Sequence, residues 1–314
     1  MPINPWWREQ LILISDLTSY LEVVDDPAKA DRFAAYSAPA EPYRLPDLQI
    51  DDRTAPGPSG PVRVRVYRPR SMAGPGPGLL WVHGGGFSGG TLDMNEAHVV
   101  SAEIAARAEA VVVSVDYRLA VGGVHHPIPL DDVSAAWSWF VAAAEELGVD
   151  PARTSIGGAS AGSNLATAAT VRLRDTGGRA PRSLLLAYPV VHFPVPALTE
   201  SVAMEMAELP ALLRFHASTN EEMFGNYVGR ITDLPAEVVP GQHDLTRLPP
   251  TSVVISEYDD LRASGELLVR QLREVGVPVE VLLAEGMLHG HLNRTPAAVL
   301  PGVGASLDFF ASAL

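Results

Sequence analysis

The sequence predicts an α/β fold: a mostly parallel central sheet with helices on both faces and a helical cap. Three observations carry this. Strand-like and helical stretches alternate from Val62 onward, and a chain of 314 residues, 47% hydrophobic and 19% charged, can bury one large core. In addition, two segments fall outside the alternation, one at the N-terminus and one between two strands that would otherwise be joined directly.

The strands are read at 62–67, 79–83, 111–116, 154–157, 183–188, 251–256 and 279–283, where short apolar, β-branched runs are bounded by Gly, Pro or Asp. Helical periodicity falls at 97–108, 133–147, 165–173, 265–275 and 302–313. N-terminal cap helices are expected over 1–44, with an apolar spacing at Leu11, Ile14, Leu17 and Leu21, and a Pro-rich linker follows over 42–61. The core is expected over 45–190 and 249–314, with a cap insertion over 191–248 that is rich in Pro, Met and aromatic residues.

Chemistry enters at Gly158, Ala159, Ser160, Ala161 and Gly162, a G-x-S-x-G pattern between a strand and a helix. A serine hydroxyl is a poor nucleophile unless held exposed beside a base, and a tight strand-to-helix corner does this. Upstream, His83, Gly84, Gly85 and Gly86 follow a buried strand, where glycines let backbone N–H groups approach a developing oxyanion. The expected donors are the N–H groups of Gly85, Gly86 and Ala161, with His83 and Gly84 in supporting positions. Gly84, Gly86 and Gly89 also spell G-x-G-x-x-G, and the next apolar run ends in Asp116, as in a dinucleotide fingerprint. That reading needs a helix to open at the glycines, whereas Thr91, Leu92, Asp93 and Met94 intervene before helical periodicity begins.

A nucleophilic serine of this kind is followed along the chain by an acid and then a histidine. Of the histidines after Ser160, His289 and His291 follow a strand and precede a terminal helix, which favours His289 as base. By position alone, either Asp259 or Asp260 is the acid at the end of the preceding strand.

These residues resemble the bacterial hormone-sensitive-lipase-like (family IV) carboxylesterases of the α/β-hydrolase fold. The resemblance runs from about Pro61 to Phe310: H-G-G-G at 83–86, D-Y-R-L-A at 116–120, H-P-I-P at 126–129, G-A-S-A-G at 158–162, E-Y-D-D-L-R at 257–262 and G-M-L-H-G at 286–290. It implies a catalytic triad of Ser160, Asp259 and His289, preferring Asp259 to Asp260. It also implies hydrolysis of short- to medium-chain acyl esters through an acyl-enzyme. Amide or carbamate cleavage on the same triad, and a non-catalytic small-molecule receptor of the same fold, are the alternative readings. The chain departs from the family where Val121 to His126 lengthen a loop, Ser163 replaces a glycine, Asp260 replaces a proline and His291 replaces an aromatic residue.

The remaining signals narrow the class. A net charge of −14, from 23 basic and 37 acidic residues, opposes binding to nucleic acid or anionic membrane. The absence of cysteine excludes disulfides and thiolate chemistry and suits a cytoplasmic location. Glu9 and Asp16 interrupt the apolar N-terminus, so neither a signal peptide nor a spanning helix is expected. No cofactor or metal is expected, because the other histidines lack ligand spacing. The expected partner is a small-molecule ester, and a homodimer is a compatible assembly. Asp131 and Asp132 read as helix N-caps, Asp116 and Arg118 as an ion pair, and Phe193, Phe215, Phe224 and Tyr227 as cap packing.

Overall fold

A computed structural model describes residues 3–314, without the side chains of Tyr20 and Leu21; Met1 and Pro2, at the start of the expected cap, lie outside the described residues. Among the described residues, eight strands form one sheet: β1 (Leu48–Ala55), β2 (Val62–Pro69), β3 (Gly76–Val82), β4 (Val111–Asp116), β5 (Val149–Ala159), β6 (Leu184–Ala187), β7 (Thr251–Tyr258) and β8 (Val279–Leu288). Their spatial order is β1-β2-β4-β3-β5-β6-β7-β8. The β1–β2 and β2–β4 pairs are antiparallel and the other pairs are parallel.

Successive strand residues point to opposite faces, so each central strand feeds two cores. Leu80, Val82, Val113 and Leu186 face one core, which is covered by α5 (Ile128–Ala142), α7 (Ala161–Thr176) and α10 (Arg262–Glu274). Leu79, Trp81, Val112 and Leu185 face the other, which is covered by α4 (Asn95–Ala108) and α11 (Pro301–Ser312). Burial on both faces explains why β3 and β4 read as continuous apolar runs rather than alternating ones.

Three expectations about elements need correction. Within the supposed linker over 42–61 lies β1, an antiparallel edge strand whose sequence LQIDDRTA has only its terminal Leu48 and Ala55 buried, so it carries no strand-like apolar signal. The N-terminal spacing of Leu11, Ile14, Leu17 and Leu21 does not mark one helix. The chain instead forms α1 (Pro5–Ile12), α2 (Tyr20–Asp25) and α3 (Pro27–Ser37), with Ile14 and Leu17 fully buried from the turn between α1 and α2. The helix expected over 133–147 begins earlier, at Ile128, and gives way after Ala142 to the short α6 (Ala144–Leu147).

Between β6 and β7 the chain leaves the sheet as α8 (Glu200–Met206), α9 (Ala217–Val228) and three 3-10 turns at Ala211–Leu213, Ala236–Val238 and Pro240–Gln242. Among the described residues, no helix is long and apolar enough to cross a membrane.

Candidate active site

The carboxyl ends of β3, β5, β7 and β8 converge on Ser160. This residue sits between β5 and α7 with φ 53° and ψ −120°, a left-handed conformation that costs a non-glycine residue of order 1–3 kcal/mol. The corner is held from several sides. The Ser160 N–H donates to the Ala187 carbonyl at 2.9 Å, and the Ser160 carbonyl accepts from Ser163 and Asn164 N–H groups as α7 begins.

Beside it stands His289, on the loop after β8. Its Nδ1 lies 2.7 Å from Asp259 Oδ2 and its Nε2 lies 3.0 Å from Ser160 Oγ. A carboxylate only accepts, so Nδ1 carries the hydrogen and Nε2 is left as acceptor for the serine hydroxyl. Asp259 is 1% exposed, and its second oxygen accepts the Leu261 N–H at 2.8 Å. Burial alone would lower the His289 imidazole, but the charge and hydrogen bond of Asp259 outweigh it and raise the group above its ordinary value.

The loop after β3 completes the surroundings. Gly85 has φ +105°, and a Cβ there would meet the Gly89 carbonyl oxygen at 2.2 Å, so only glycine allows the turn. The N–H groups of Gly85, Gly86 and Ala161 donate no hydrogen bond among the described residues, leaving three donors near the serine corner unspent. Behind the loop, His83 is fully buried. Its Nδ1 donates to the Gly84 carbonyl at 2.8 Å, and its ring stacks on Tyr117 at 4.6 Å, so the side chain braces the loop. Burial pushes its imidazole down, toward the neutral form.

The dinucleotide outline has no helix to serve it, since α4 opens only at Asn95, well past the glycines. Asp116 pairs with Arg63 at 3.6 Å rather than with Arg118, which instead pairs with the buried Asp132. Asp131 holds Arg172 at 2.7 Å, so neither aspartate is an N-cap; α5 has already started at Ile128. Of the aromatic group, Phe193 packs on Phe224 and Tyr227 stacks on Phe87 at 4.0 Å, as packing predicts. Phe215 differs, because its ring meets His289 edge-on at 4.7 Å. Reading the sequence missed Glu96, Tyr188 and Asn293, which cluster behind the same loop. An acid at a helix start reads as ordinary dipole complementarity, so Glu96 carries no signal of its own.

The sequence matches the α/β-hydrolase fold family over residues 79–293. The chain belongs to that family. Within it, the chain is one of the hormone-sensitive-lipase-like esterases. It is 33% identical to the esterase LipI of Mycobacterium tuberculosis over 301 residues, covering 93% of this chain and 89% of that protein. It is 29% identical to the arylacetamide deacetylase of Bos taurus, covering 74% of this chain and 72% of that protein. Among solved structures, a hyperthermophilic esterase from the archaeon Pyrobaculum calidifontis aligns with a TM-score of 0.82 at 30% identity, covering 100% of this chain and 98% of that one.

The departures from the usual pattern of this α/β-hydrolase branch each have a place in the structure. Ser163 Oγ lies 2.6 Å from the Gly158 carbonyl and 2.9 Å from the Ala187 carbonyl, bridging the ends of β5 and β6 below the corner. Asp260 pairs in two-pronged fashion with Arg214 and accepts the Phe215 N–H at 2.7 Å. His291 is fully buried between Ser256 Oγ and Ser306 Oγ, each at 3.0 Å, and burial pushes it down to about 3. In the lengthened loop, His125 Nδ1 donates to the Asn226 carbonyl and His126 faces Glu237 at 3.3 Å, which fastens the loop to α9 and the turn that follows it.

Proposed function

We propose that the protein is a serine carboxylesterase in which Ser160 is the nucleophile, His289 the general base and acid, and Asp259 the orienting carboxylate. The observation that carries the reading is the chain of contacts from Asp259 Oδ2 through both ring nitrogens of His289 to Ser160 Oγ, at 2.7 and 3.0 Å. Ser160 Oγ attacks the ester carbonyl carbon while His289 Nε2 takes the hydroxyl proton, and Asp259 stabilises the resulting imidazolium. The oxyanion is received by the N–H groups of Gly85, Gly86 and Ala161. His289 then gives its proton to the leaving alkoxide as the carbon–oxygen bond breaks, and an acyl-serine remains. Water, deprotonated by His289, attacks that acyl group; the tetrahedral adduct collapses, and the proton returns to Ser160 Oγ.

The proposed substrates are short- to medium-chain acyl esters. The N-terminal helices and the segment between β6 and β7 are proposed as the cap, with Phe215 delivered from that segment onto His289. Amide cleavage on the same residues is the second reading, favoured by the similarity to the deacetylase.

The test is the initial rate on p-nitrophenyl esters of increasing acyl length, with wild type set against Ser160→Ala. The variant is expected to lose about a million-fold in turnover. Retention of near-wild-type activity would remove Ser160 from the mechanism. Absence of turnover on esters in the wild type, with release of amine from an aryl amide, would move the assignment to an amidase; binding without turnover on either would point to a silent receptor.

A further inference from the structure

We propose that Glu96 is a positioning residue of this site, whose carboxylate ties the H-G-G-G loop to Tyr188 and to the loop that carries His289. The inference rests on the triad reading above. Glu96 lies in the first turn of α4 and is 2% exposed. Its Oε2 accepts the Gly84 N–H at 2.7 Å, and its Oε1 accepts from the Tyr188 hydroxyl and from Asn293 Nδ2 at 3.2 Å. The residue is itself fixed by its backbone, since the Glu96 carbonyl accepts Trp81 Nε1–H at 2.8 Å.

Each of these partners is one step from the reacting groups. Gly84 is wedged between Glu96 and the serine: a Cβ on Gly84 would lie 2.5 Å from Glu96 Oε2 and 3.1 Å from Ser160 Cβ. Tyr188 is held with a positive φ of 37°, and its ring meets His289 edge-on at 4.8 Å. Asn293 stands on the loop that carries His289 and also holds Asn95 through its carbonyl at 2.9 Å. One carboxylate therefore joins the oxyanion loop, the residue after β6 and the histidine loop.

The second part of the argument is charge. Burying a carboxylate is costly unless it is paired or fully hydrogen-bonded, and among the described residues no Lys or Arg pairs with Glu96. Three neutral donors satisfy it, so its negative charge remains available to the surroundings. The groups facing His289 are Asp259 and Asp260 from the loop after β7, Glu96 from α4, Tyr188 after β6, Phe215 from the inserted segment and His291 from its own loop. Asp259 acts by direct contact, Asp260 also favours the charged ring although it is paired with Arg214, and His291 is held neutral by burial. Glu96 thus joins Asp259 and Asp260 in favouring the imidazolium formed when Ser160 gives up its proton.

The test is Glu96→Gln, which keeps the side-chain shape and removes the charge, measured as kcat/KM against pH on p-nitrophenyl acetate. Expected are a ten- to hundredfold loss in kcat, a KM within about threefold, and an acid limb displaced downward by at least ~0.3 pH unit. Glu96→Asp, which restores the charge, should return the limb to its wild-type position even where the rate is only partly recovered. Tyr188→Phe, which removes one donor and no charge, should lower kcat with the limb in place, and it serves as the second variant where Glu96→Gln fails to fold. An unmoved acid limb with kcat within threefold in Glu96→Gln would overturn the proposal, as would a Tyr188→Phe enzyme indistinguishable from wild type. Failure of the underlying triad reading is recognised separately, by activity surviving Ser160→Ala.

Discussion

Asp259→Asn tests the geometry of the site more sharply than removal of the serine, because the structure dictates what the amide must do. Asp259 spends one oxygen on the Leu261 N–H at 2.8 Å and the other on His289 Nδ1 at 2.7 Å, with almost no exposure to water. An asparagine has one acceptor and one donor for these two positions. If its oxygen stays on Leu261, its NH2 faces His289 and demands an acceptor at Nδ1. The ring hydrogen then moves to Nε2, pointing at Ser160 Oγ, where it blocks proton abstraction. If the amide turns over, its NH2 confronts the buried Leu261 N–H, and two unsatisfied donors cost about 1–3 kcal/mol. Either way the productive tautomer becomes a minor species, and the imidazolium also loses its counter-charge. Together these place the loss in kcat at about ten-thousandfold, or ~5.5 kcal/mol at 1.36 kcal/mol per decade. The assay is kcat and KM on p-nitrophenyl acetate at pH 8, with a far-UV spectrum to establish that the variant is folded. A folded Asp259→Asn enzyme within tenfold of wild type would refute the reasoning and return the acid's role to the neighbouring Asp260.

Two further predictions concern the residues around the proposed triad. Replacing Asp260 with Ala leaves Arg214 without its partner and the Phe215 N–H without its acceptor, so unfolding stability should fall by about 2–4 kcal/mol, and Phe215 should lose its fixed position on His289. A double-mutant cycle with Arg214→Ala, read by urea unfolding, should show strong coupling, whereas additive losses would mean that the pair contributes nothing as a pair. His291 has a native value depressed to about 3 against about 6.5 unfolded. The unfolded chain therefore binds a proton that the native state refuses, and the contribution of His291 to stability, present above about pH 6.5, is lost as the pH falls through that window toward about 3. Between pH 7 and pH 5 this amounts to about 2 kcal/mol. Unfolding free energies of His291→Gln should fall less over that interval, and an unchanged dependence would show that His291 is not held neutral.

What the sequence made legible follows from whether the signal is local. The strands β3 and β4 were readable because burial on both faces leaves an uninterrupted apolar run, and G-x-S-x-G and H-G-G-G were readable because the backbone conformations they serve admit little else. The edge strand β1 was not, because its only buried residues are the two at its ends, and its pairing with β2 runs through backbone hydrogen bonds and the exposed Asp52–Arg63 and Asp52–Arg65 contacts rather than through apolar side chains. Ile14 and Leu17 imitate helical spacing, yet they are buried from a turn because packing onto the second core selects apolar residues whatever the backbone does. Asp131 and Asp132 looked like caps because a helix start is the local explanation for an acid, whereas their partners, Arg172 and Arg118, lie 41 and 14 residues away, outside the helix itself. The same limit hid the Glu96 cluster, whose contacts span 92 residues to Tyr188 and 197 to Asn293.

The strain at Ser160 connects these two kinds of information. A left-handed serine persists only where its surroundings over-determine it, and here the constraint comes from how closely the start of α7 is pressed onto the end of β3. A Cβ on Gly162 would lie 2.1 Å from the Val82 carbonyl oxygen and 2.5 Å from that of His83, so the start of α7 and the end of β3 meet at backbone-to-backbone distance. That approach would let the Ala161 N–H and the glycine N–H groups after His83 serve one oxyanion, as proposed, and it is stable only if the loop behind is itself braced. The bracing is polar and buried: the stacking of His83 on Tyr117, the Ser163 hydroxyl between the ends of β5 and β6, and the Glu96 carboxylate under Gly84. Local glycines permit the corner, and non-local hydrogen bonds fix it. It follows that substitutions in the second group that still fold should alter turnover while leaving the motif intact.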